Sequence, residues 1–142
     1  MGTSLAQRVG PILGAVFVGV GIVGFVVTGF GGFTQVTGHE LLGMGVNPFH
    51  NLAYIFAGIW LIAVCLRGSG AAAEGVLMGA GLFLVVLFVI GIIGTDNLTI
   101  VSMTSQSDTG NILHLVAGLG LLAVGLLSGG ASAAAATRRG VA

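Results

Sequence analysis

Residues 75–95 have the sequence GVLMGAGLFLVVLFVIGIIGT and contain no charged side chain. A helix needs about 20 consecutive apolar residues to cross a hydrocarbon core about 30 Å thick. This stretch is long enough, and it is apolar throughout, whereas a strand of a membrane barrel alternates between apolar and polar residues. It therefore predicts a membrane-spanning helix.

Three further stretches of the chain have the same character. Residues 9–32 and 111–136 carry no charge, and residues 41–66 become continuously apolar in their later part. Asn47 and Pro48 suit the N-cap and the first turn of a helix, so we expect the second helix to begin there. The first stretch exceeds the apolar core of a signal peptide, which has about 7–15 residues, and we expect it to remain as an anchor.

The predicted fold is all-α, an integral membrane four-helix bundle that forms a single domain over residues 1–142. We expect the spans at about 9–32, 48–66, 74–95 and 111–130, and the outer loops at about 33–46 and 96–110.

The composition indicates a membrane protein. Of the 142 residues, 56% are hydrophobic and 6% are charged, whereas roughly a quarter are charged in soluble domains. A net charge of zero without a basic run argues against binding to nucleic acid, which depends on clustered Lys and Arg. The single cysteine excludes an internal disulfide, and we expect Cys65 to be a small packing residue.

The basic residues predict the orientation in the membrane. They are Arg8, Arg67, Arg138 and Arg139. Four crossings place all of them on one side, which the positive-inside rule assigns to the cytoplasm. We therefore expect cytoplasmic N and C termini and a multi-pass location in the cell membrane.

The second and fourth spans begin alike, with NPFH at residues 47–50 and NILH at residues 111–114. The shared pattern is N-x-x-H. Because one outer loop joins spans one and two and another joins spans three and four, the chain is predicted to form two similar helical hairpins inserted in the same sense. The pattern places His50 and His114 at equivalent depths near the outer interface, facing each other.

Glycine is the residue that we expect to pack these helices. Helices in lipid associate through close backbone approach, which small residues permit. The expected packing glycines are Gly14, Gly21, Gly58, Gly118 and Gly125, together with the pair Gly75 and Gly79. The bulky stretch 82–90 of the third span suits contact with lipid or with a partner subunit.

The stretches VNPFHNLAY at residues 46–54 and NILHL at residues 111–115 carry a family resemblance. They resemble sequences of a family of small actinobacterial membrane proteins, domain of unknown function 4383. The resemblance covers nearly the whole chain and implies four spans but no particular activity. It implies the signature positions Asn47, His50, Asn51, Asn111, His114 and Gly118. Tyr54 departs from the family pattern, which more often has a second histidine there and would then offer a better metal-chelating pair.

Polar residues near the starts of the second and fourth spans are the candidate site, because ionisable groups inside a membrane are expensive and often functional. They are Asn47, His50, Asn51, Asn111 and His114. We expect Asn47 and Asn111 to cap helices and the imidazoles to tie the hairpins together. The alternative is that the imidazoles bind haem, a divalent metal with help from Asp108 or Glu40, or a small amphipathic ligand, with proton-linked behaviour.

The chain contains no paired nucleophile and base, no phosphate-binding loop and no carboxylate cluster. We therefore expect no enzymatic activity, no catalytic residue and no resident metal or cofactor. The leading hypothesis is a non-catalytic accessory or scaffold component of a plasma-membrane assembly, whose partners are the lipid bilayer and other membrane helices, including a second copy. The alternative hypothesis is a membrane binding module that uses His50 and His114.

Overall fold

The described part of the protein consists of four long helices and one small β-hairpin. The computed structural model describes residues 3–94, 100, 102 and 108–140, with the backbone alone at 132–136, 138 and 139. The elements are α1 (Leu5–Thr28), β1 (Glu40–Leu41), β2 (Met44–Gly45), α2 (Pro48–Arg67), α3 (Gly70–Ile93) and α4 (Thr109–Gly140). All four helices are long and apolar enough to cross a membrane, in α4 over Thr109–Ala131. The prediction of an all-α membrane bundle is confirmed, and most of the predicted second outer loop lies outside the described residues.

Side-chain caps begin the first three helices. Ser4, Asn47 and Ser69 each accept a hydrogen bond from the backbone N–H three residues later, with His50 N lying 2.8 Å from Asn47 Oδ1. Pro48 occupies the first turn of α2, where its missing N–H removes no hydrogen bond. The predicted start of the second helix is therefore confirmed.

The predicted cap of the fourth helix is wrong. Asp108, and not Asn111, precedes α4, and its Oδ1 accepts a hydrogen bond of 2.9 Å from the backbone N–H of Gly110. Asn111 lies inside the first turn of α4 and is buried. An acidic cap at this position also interacts favourably with the positive end of the helix dipole.

A β-hairpin closes one end of the bundle, where the α1–α2 and α3–α4 connections lie; we name this the loop end and the opposite end the terminal end. Strands β1 and β2 pair antiparallel, with Leu41 opposite Met44. The two-residue turn between them has φ of 55° at Leu42 and 76° at Gly43, as a type I′ turn requires. Met44 and Val46 are buried beneath this turn.

The helices pair as the two predicted hairpins, with α1 mainly on α2 and α3 mainly on α4. Glycines make these contacts close. A Cβ on Gly14 would lie 2.6 Å from the carbonyl oxygen of Gly58, and a Cβ on Gly81 would lie 2.7 Å from that of Gly118. The backbones therefore touch at equivalent places in both hairpins.

Other glycines divide between packed and open positions. Gly21 lies against Ile55, and Gly125 lies against Met78. The expectation for Gly75 and Gly79 is wrong, because no atom lies within 4 Å of a Cβ built on either. These two glycines precede the buried positions 77 and 81 by two residues, which is more than half a helical turn and places them on the opposite, exposed side.

Hydrogen bonds join the two hairpins at the terminal end. The backbone N–H of Ala6 donates to Ser128 Oγ at 3.1 Å, and the Ser128 hydroxyl donates to Glu74 Oε1 at 3.1 Å. Gln7 Nε2 donates to the carbonyl oxygen of Gly68 at 3.0 Å. The first bonds connect α1, α4 and α3, so Ser128 links both hairpins.

We predict that Gly81→Val destabilises the protein and that Gly79→Val does not. The new side chain at 81 would collide with the α4 backbone, whereas the side chain at 79 would enter open space. Overpacking of this kind costs about 1–3 kcal/mol of unfolding free energy. Thermal unfolding in mild detergent, followed by circular dichroism, measures the difference, and equal melting temperatures for the two variants would contradict the packing described above.

Candidate intramembrane binding site

Five polar residues predicted from the sequence are buried together at the loop end of the bundle. They are Asn47, His50, Asn51, Asn111 and His114. Burying such groups in a membrane is unfavourable unless they find hydrogen-bond partners. Their partners therefore show what the cluster does.

Asn51 anchors α2 to α1. Its Nδ2 donates a hydrogen bond of 2.9 Å to Thr28 Oγ1, and its side chain lies directly against Gly24, where a Cβ would collide with it. The Asn111 side chain lies in the same way against Gly91 of α3. The two asparagines therefore occupy equivalent positions in the two hairpins.

This equivalence corrects the predicted repeat. Gly58 follows Asn51 by seven residues, as Gly118 follows Asn111, and the two glycines make matching contacts. In this register His114 is equivalent to Tyr54, and His50 is equivalent to Gly110. The predicted equivalence of His50 and His114 is wrong, because the pattern N-x-x-H aligns α2 with α4 four residues out of register.

Three rings nevertheless meet between the hairpins. The ring centroids of His50 and His114 are 5.8 Å apart, and the His50 ring stacks on Tyr54 at 4.7 Å with an interplanar angle of 20°. The Tyr54 hydroxyl donates to Met44 Sδ at 3.3 Å. These contacts join α2, α4 and the β-hairpin into one cluster, which we name the ring cluster: His50, Tyr54 and His114.

Sequence reasoning missed the central place of Tyr54, which it noted only as a departure from the family pattern. The signal that could have found it is spacing, because Tyr54 follows Asn51 by three residues as His114 follows Asn111.

Both imidazoles keep unused hydrogen-bonding capacity. His50 is 5% exposed and His114 is 2% exposed. The His50 ring hydrogen-bonds the backbone of Gly45, while the Nδ1 atoms of His50 and His114 have no partner within the described part of the chain. A buried polar atom without a partner costs about 1–3 kcal/mol, so these two nitrogens are an unfavourable feature of the cluster.

Two apolar clefts separate the hairpins on either side of the ring cluster. The larger has a volume of about 480 Å³ and lies between α1 and α4; the smaller has a volume of about 210 Å³ and lies between α2 and α3. Both include a common central wall, formed by Phe17, Tyr54, Leu84, His114 and Leu121. Gly14 of α1 and Gly81 of α3 make matching contacts, so Phe17 is equivalent to Leu84, as Tyr54 is to His114. The two clefts are therefore themselves equivalent.

Side-chain size accounts for the difference in volume. The larger cleft is lined by Val16 and Val20 of α1, and the smaller by Phe83 and Leu87, which hold the equivalent positions of α3. His50 also lines the smaller cleft only. The larger cleft is therefore the candidate binding site. Of the two imidazoles of the ring cluster, that of His114 lines this cleft and that of His50 does not.

Other sequence candidates lie elsewhere. Cys65 is buried against Gly10 in the α1–α2 contact, as expected of a packing residue. His39 and Glu40 are exposed on the β-hairpin side of the loop end. Within the described ranges, no three His, Cys, Asp or Glu residues are grouped closely enough to bind a metal ion.

We predict energetic coupling between Asn51 and Thr28 in a double-mutant cycle with Asn51→Ala and Thr28→Val. The cycle isolates the hydrogen bond because the packing of Asn51 on Gly24 cancels. Interhelical bonds of this kind contribute about 0.6 kcal/mol on average in membranes, up to about 1.7. The coupling energy is calculated from the unfolding free energies of the four proteins in detergent. In a control cycle, Val replaces the exposed residue Thr34 instead of Thr28, and the effects of the two substitutions should then be additive. A coupling energy of zero would show that the bond does not contribute.

Comparison with known proteins identifies a family. A family model described as Domain of unknown function (DUF4383) matches residues 7–127, which include the second and third spanning segments, most of the first and fourth, and the ring cluster. Neither the curated proteins nor the solved structures contain a match to this chain. Because the matched region covers most of the sequence, the resemblance noted from residues 46–54 and 111–115 is confirmed, and this chain with its four apolar helices belongs to the DUF4383 family.

Proposed function

We propose that this multi-pass membrane protein is a non-catalytic binding module that holds a small amphipathic molecule between its two hairpins. The observation that supports the proposal is the larger cleft, an apolar space of about 480 Å³ with the His114 imidazole in its wall. Binding sites for small molecules have volumes of about 300–1,000 Å³ and combine apolar walls with a few polar groups.

The dimensions of the cleft suit a single apolar chain. Its lining on α4 extends from Leu113 to Val124, which corresponds to about 16 Å at a rise of 1.5 Å per residue. This is about half of a hydrocarbon core of roughly 30 Å, and hence the depth of one leaflet. One acyl or isoprenoid chain of a leaflet would therefore fill the cleft.

The cleft is accessible from the lipid side of the bundle. Val16 of α1 is 58% exposed and Val116 of α4 is 62% exposed, and both line the cleft. At the loop end, Leu42 and Met44 of the β-hairpin region complete the wall. A ligand would thus enter sideways from the bilayer, with its polar end towards the ring cluster.

The amphipathic ligand is favoured over the other two ligands considered for His50 and His114. The two rings are 5.8 Å apart, and Tyr54 stacks on one of them. A haem macrocycle between the imidazoles would have to separate the hairpins, and a metal ion would need further ligands beside them. An apolar chain needs neither change, because the cleft that would hold it lies beside the rings.

A second candidate function is the accessory or scaffold role within a plasma-membrane assembly, through lateral contacts with other helices or a second copy. The side chains of α3 that support it form a bulky exposed surface; they are Leu82, Phe83, Val86, Val89 and Ile90. The cytoplasmic orientation that this role assumes is supported by Arg8 and Arg67, which both lie at the terminal end. Mass determination in mild detergent tests it, and a strictly monomeric protein without captured partners would count against it.

We predict that the double variant Val16→Phe with Val20→Leu loses ligand binding. These side chains are the ones that already line the smaller cleft at the equivalent positions 83 and 87, so the fold should accommodate them. Long-chain lipids with a photoreactive group in the chain, bearing hydroxyl, carboxylate or ammonium heads, are supplied in nanodiscs, and labelled peptides are mapped by mass spectrometry.

The matched control is Val23→Phe, an exposed position of α1 that lines neither cleft. Labelling of the α4 peptide 113–124 should fall several-fold in the double variant and stay unchanged in the control. Equal labelling in all three proteins would show that the cleft is not the binding site.

A further inference from the structure

We infer that the ring cluster is a proton-binding site that controls the contact between the two hairpins: proton uptake by His50 and His114 separates the hairpins at the loop end. The inference concerns the protein itself and does not depend on the ligand proposed above. It follows from the burial of two imidazoles side by side, from the charges around them, and from the narrow contact between the hairpins at this depth.

The closed arrangement suits two neutral imidazoles. A neutral imidazole carries one N–H group, and an imidazolium carries two. His50 and His114 are both buried, and the Nδ1 atom of each has no partner within the described residues. Protonation would therefore give each ring a positive charge out of water and an Nδ1–H group without an acceptor. Both are unfavourable in surroundings of low polarity.

The charges around the cluster can compensate one imidazolium but not two. The Asp108 carboxylate of α4 interacts electrostatically with both rings, and the rings interact with each other. Tyr54 stacks on His50 as a neutral phenol. The other charged side chains and the third histidine of the described residues lie apart from the rings; they are His39 and Glu40, exposed on the β-hairpin side, and Arg8 of α1, Arg67 of α2 and Glu74 of α3, at the terminal end. Two imidazolium groups would therefore repel each other beside a single carboxylate.

The hairpins can separate at the loop end without breaking either hairpin. A cleft lies on each side of the ring cluster, so the contact between the hairpins is narrow there. Met44 of the β-hairpin bonds to Tyr54 of α2 and lies against Gly110 of α4, and the second contact would part together with the rings. At the terminal end, Ser128 joins both hairpins through bonds that involve no histidine. That end therefore serves as the hinge.

Protons reach the rings when the loop end opens. His50 lies in the first turn of α2 and His114 in the second turn of α4, so opening exposes both to water at that end. The open form then binds protons with the pKa of about 6.5 of a free imidazole, whereas the closed form binds them more weakly for the reasons above. A ligand shifts a population towards the form that binds it better. The closed form is therefore fully favoured above about pH 6.5 and loses its advantage as the pH falls below that value.

Distances between spin labels in nanodiscs of a neutral phospholipid, without added ligand, test the inference. In a Cys65→Ala chain, exposed positions are labelled in pairs: Val26→Cys with Ile93→Cys at the loop end, and Leu66→Cys with Leu127→Cys at the terminal end. Between about pH 8 and about pH 5, a range that brackets the pKa of a free imidazole, we expect the loop-end distance to increase by several ångströms with a midpoint below about pH 6.5. The terminal-end distance should stay constant. An unchanged loop-end distance, or an equal increase at both ends, would overturn the inference.

Histidine variants of the loop-end pair assign the response. His50→Phe with His114→Phe should abolish it, because these rings bind no proton. Each single variant should make it less steep: the ratio of open to closed protein then rises at most about tenfold per pH unit, against up to about a hundredfold for two protons. The control is His39→Gln, which changes the exposed third histidine and should respond like the unsubstituted chain. A response that persists in the double variant, or that is lost in the control, would overturn the inference. Where the double variant does not fold, the titrations of the two label pairs in the chain with all three histidines decide the matter.

Discussion

Contact between glycine backbones holds each hairpin together, and the rest of the structure depends on it. Apolar side chains gain little by leaving lipid for another apolar surface, so helices in a membrane associate where their backbones can approach closely. Gly14 meets Gly58 in one hairpin, and Gly81 meets Gly118 in the other. Because the small residues are used within the hairpins, larger side chains remain between them. The hairpin is therefore the rigid unit, and imperfect packing is confined to the interface where both clefts lie.

Polar contacts fix how the two hairpins sit against each other. At the terminal end, Ser128 bonds to both Ala6 and Glu74; at the loop end, the rings of His50 and His114 meet. Hydrogen bonds are directional and strengthened by low polarity, so a few of them determine the relative rotation of helices that apolar contacts alone would leave undetermined. Between these two polar layers the hairpins touch through large apolar side chains, which leave space at mid-depth.

The sequence predicted four spanning helices because their signal is local, although α1 and α3 each begin four residues earlier than expected. Charge-free stretches define the spans, and Asn47 and Pro48 define a helix start. The register of the repeat was missed because the Asn and His of residues 111–114 recur in residues 47–50. The stretch that is structurally equivalent to 111–114 is 51–54, which ends in Tyr54 instead of a histidine. The spacing of Asn51 to Gly58, repeated in α4, carries the correct register, since those residues make the helix contacts. The clefts could not be predicted, because their volumes depend on side chains brought together from distant helices.

Departures from the internal symmetry make one cleft different from the other. Two identical hairpins would enclose two identical clefts. Here Phe83 replaces the equivalent Val16, and His50 replaces the equivalent Gly110, and both larger side chains belong to the smaller cleft. The α2–α3 side is thereby better filled, which favours contact between the hairpins, while the α1–α4 side keeps an open apolar space beside His114. Since dispersion contacts are lost wherever a void remains, a molecule that fills the open side restores them, and binding there would also strengthen the contact between the hairpins.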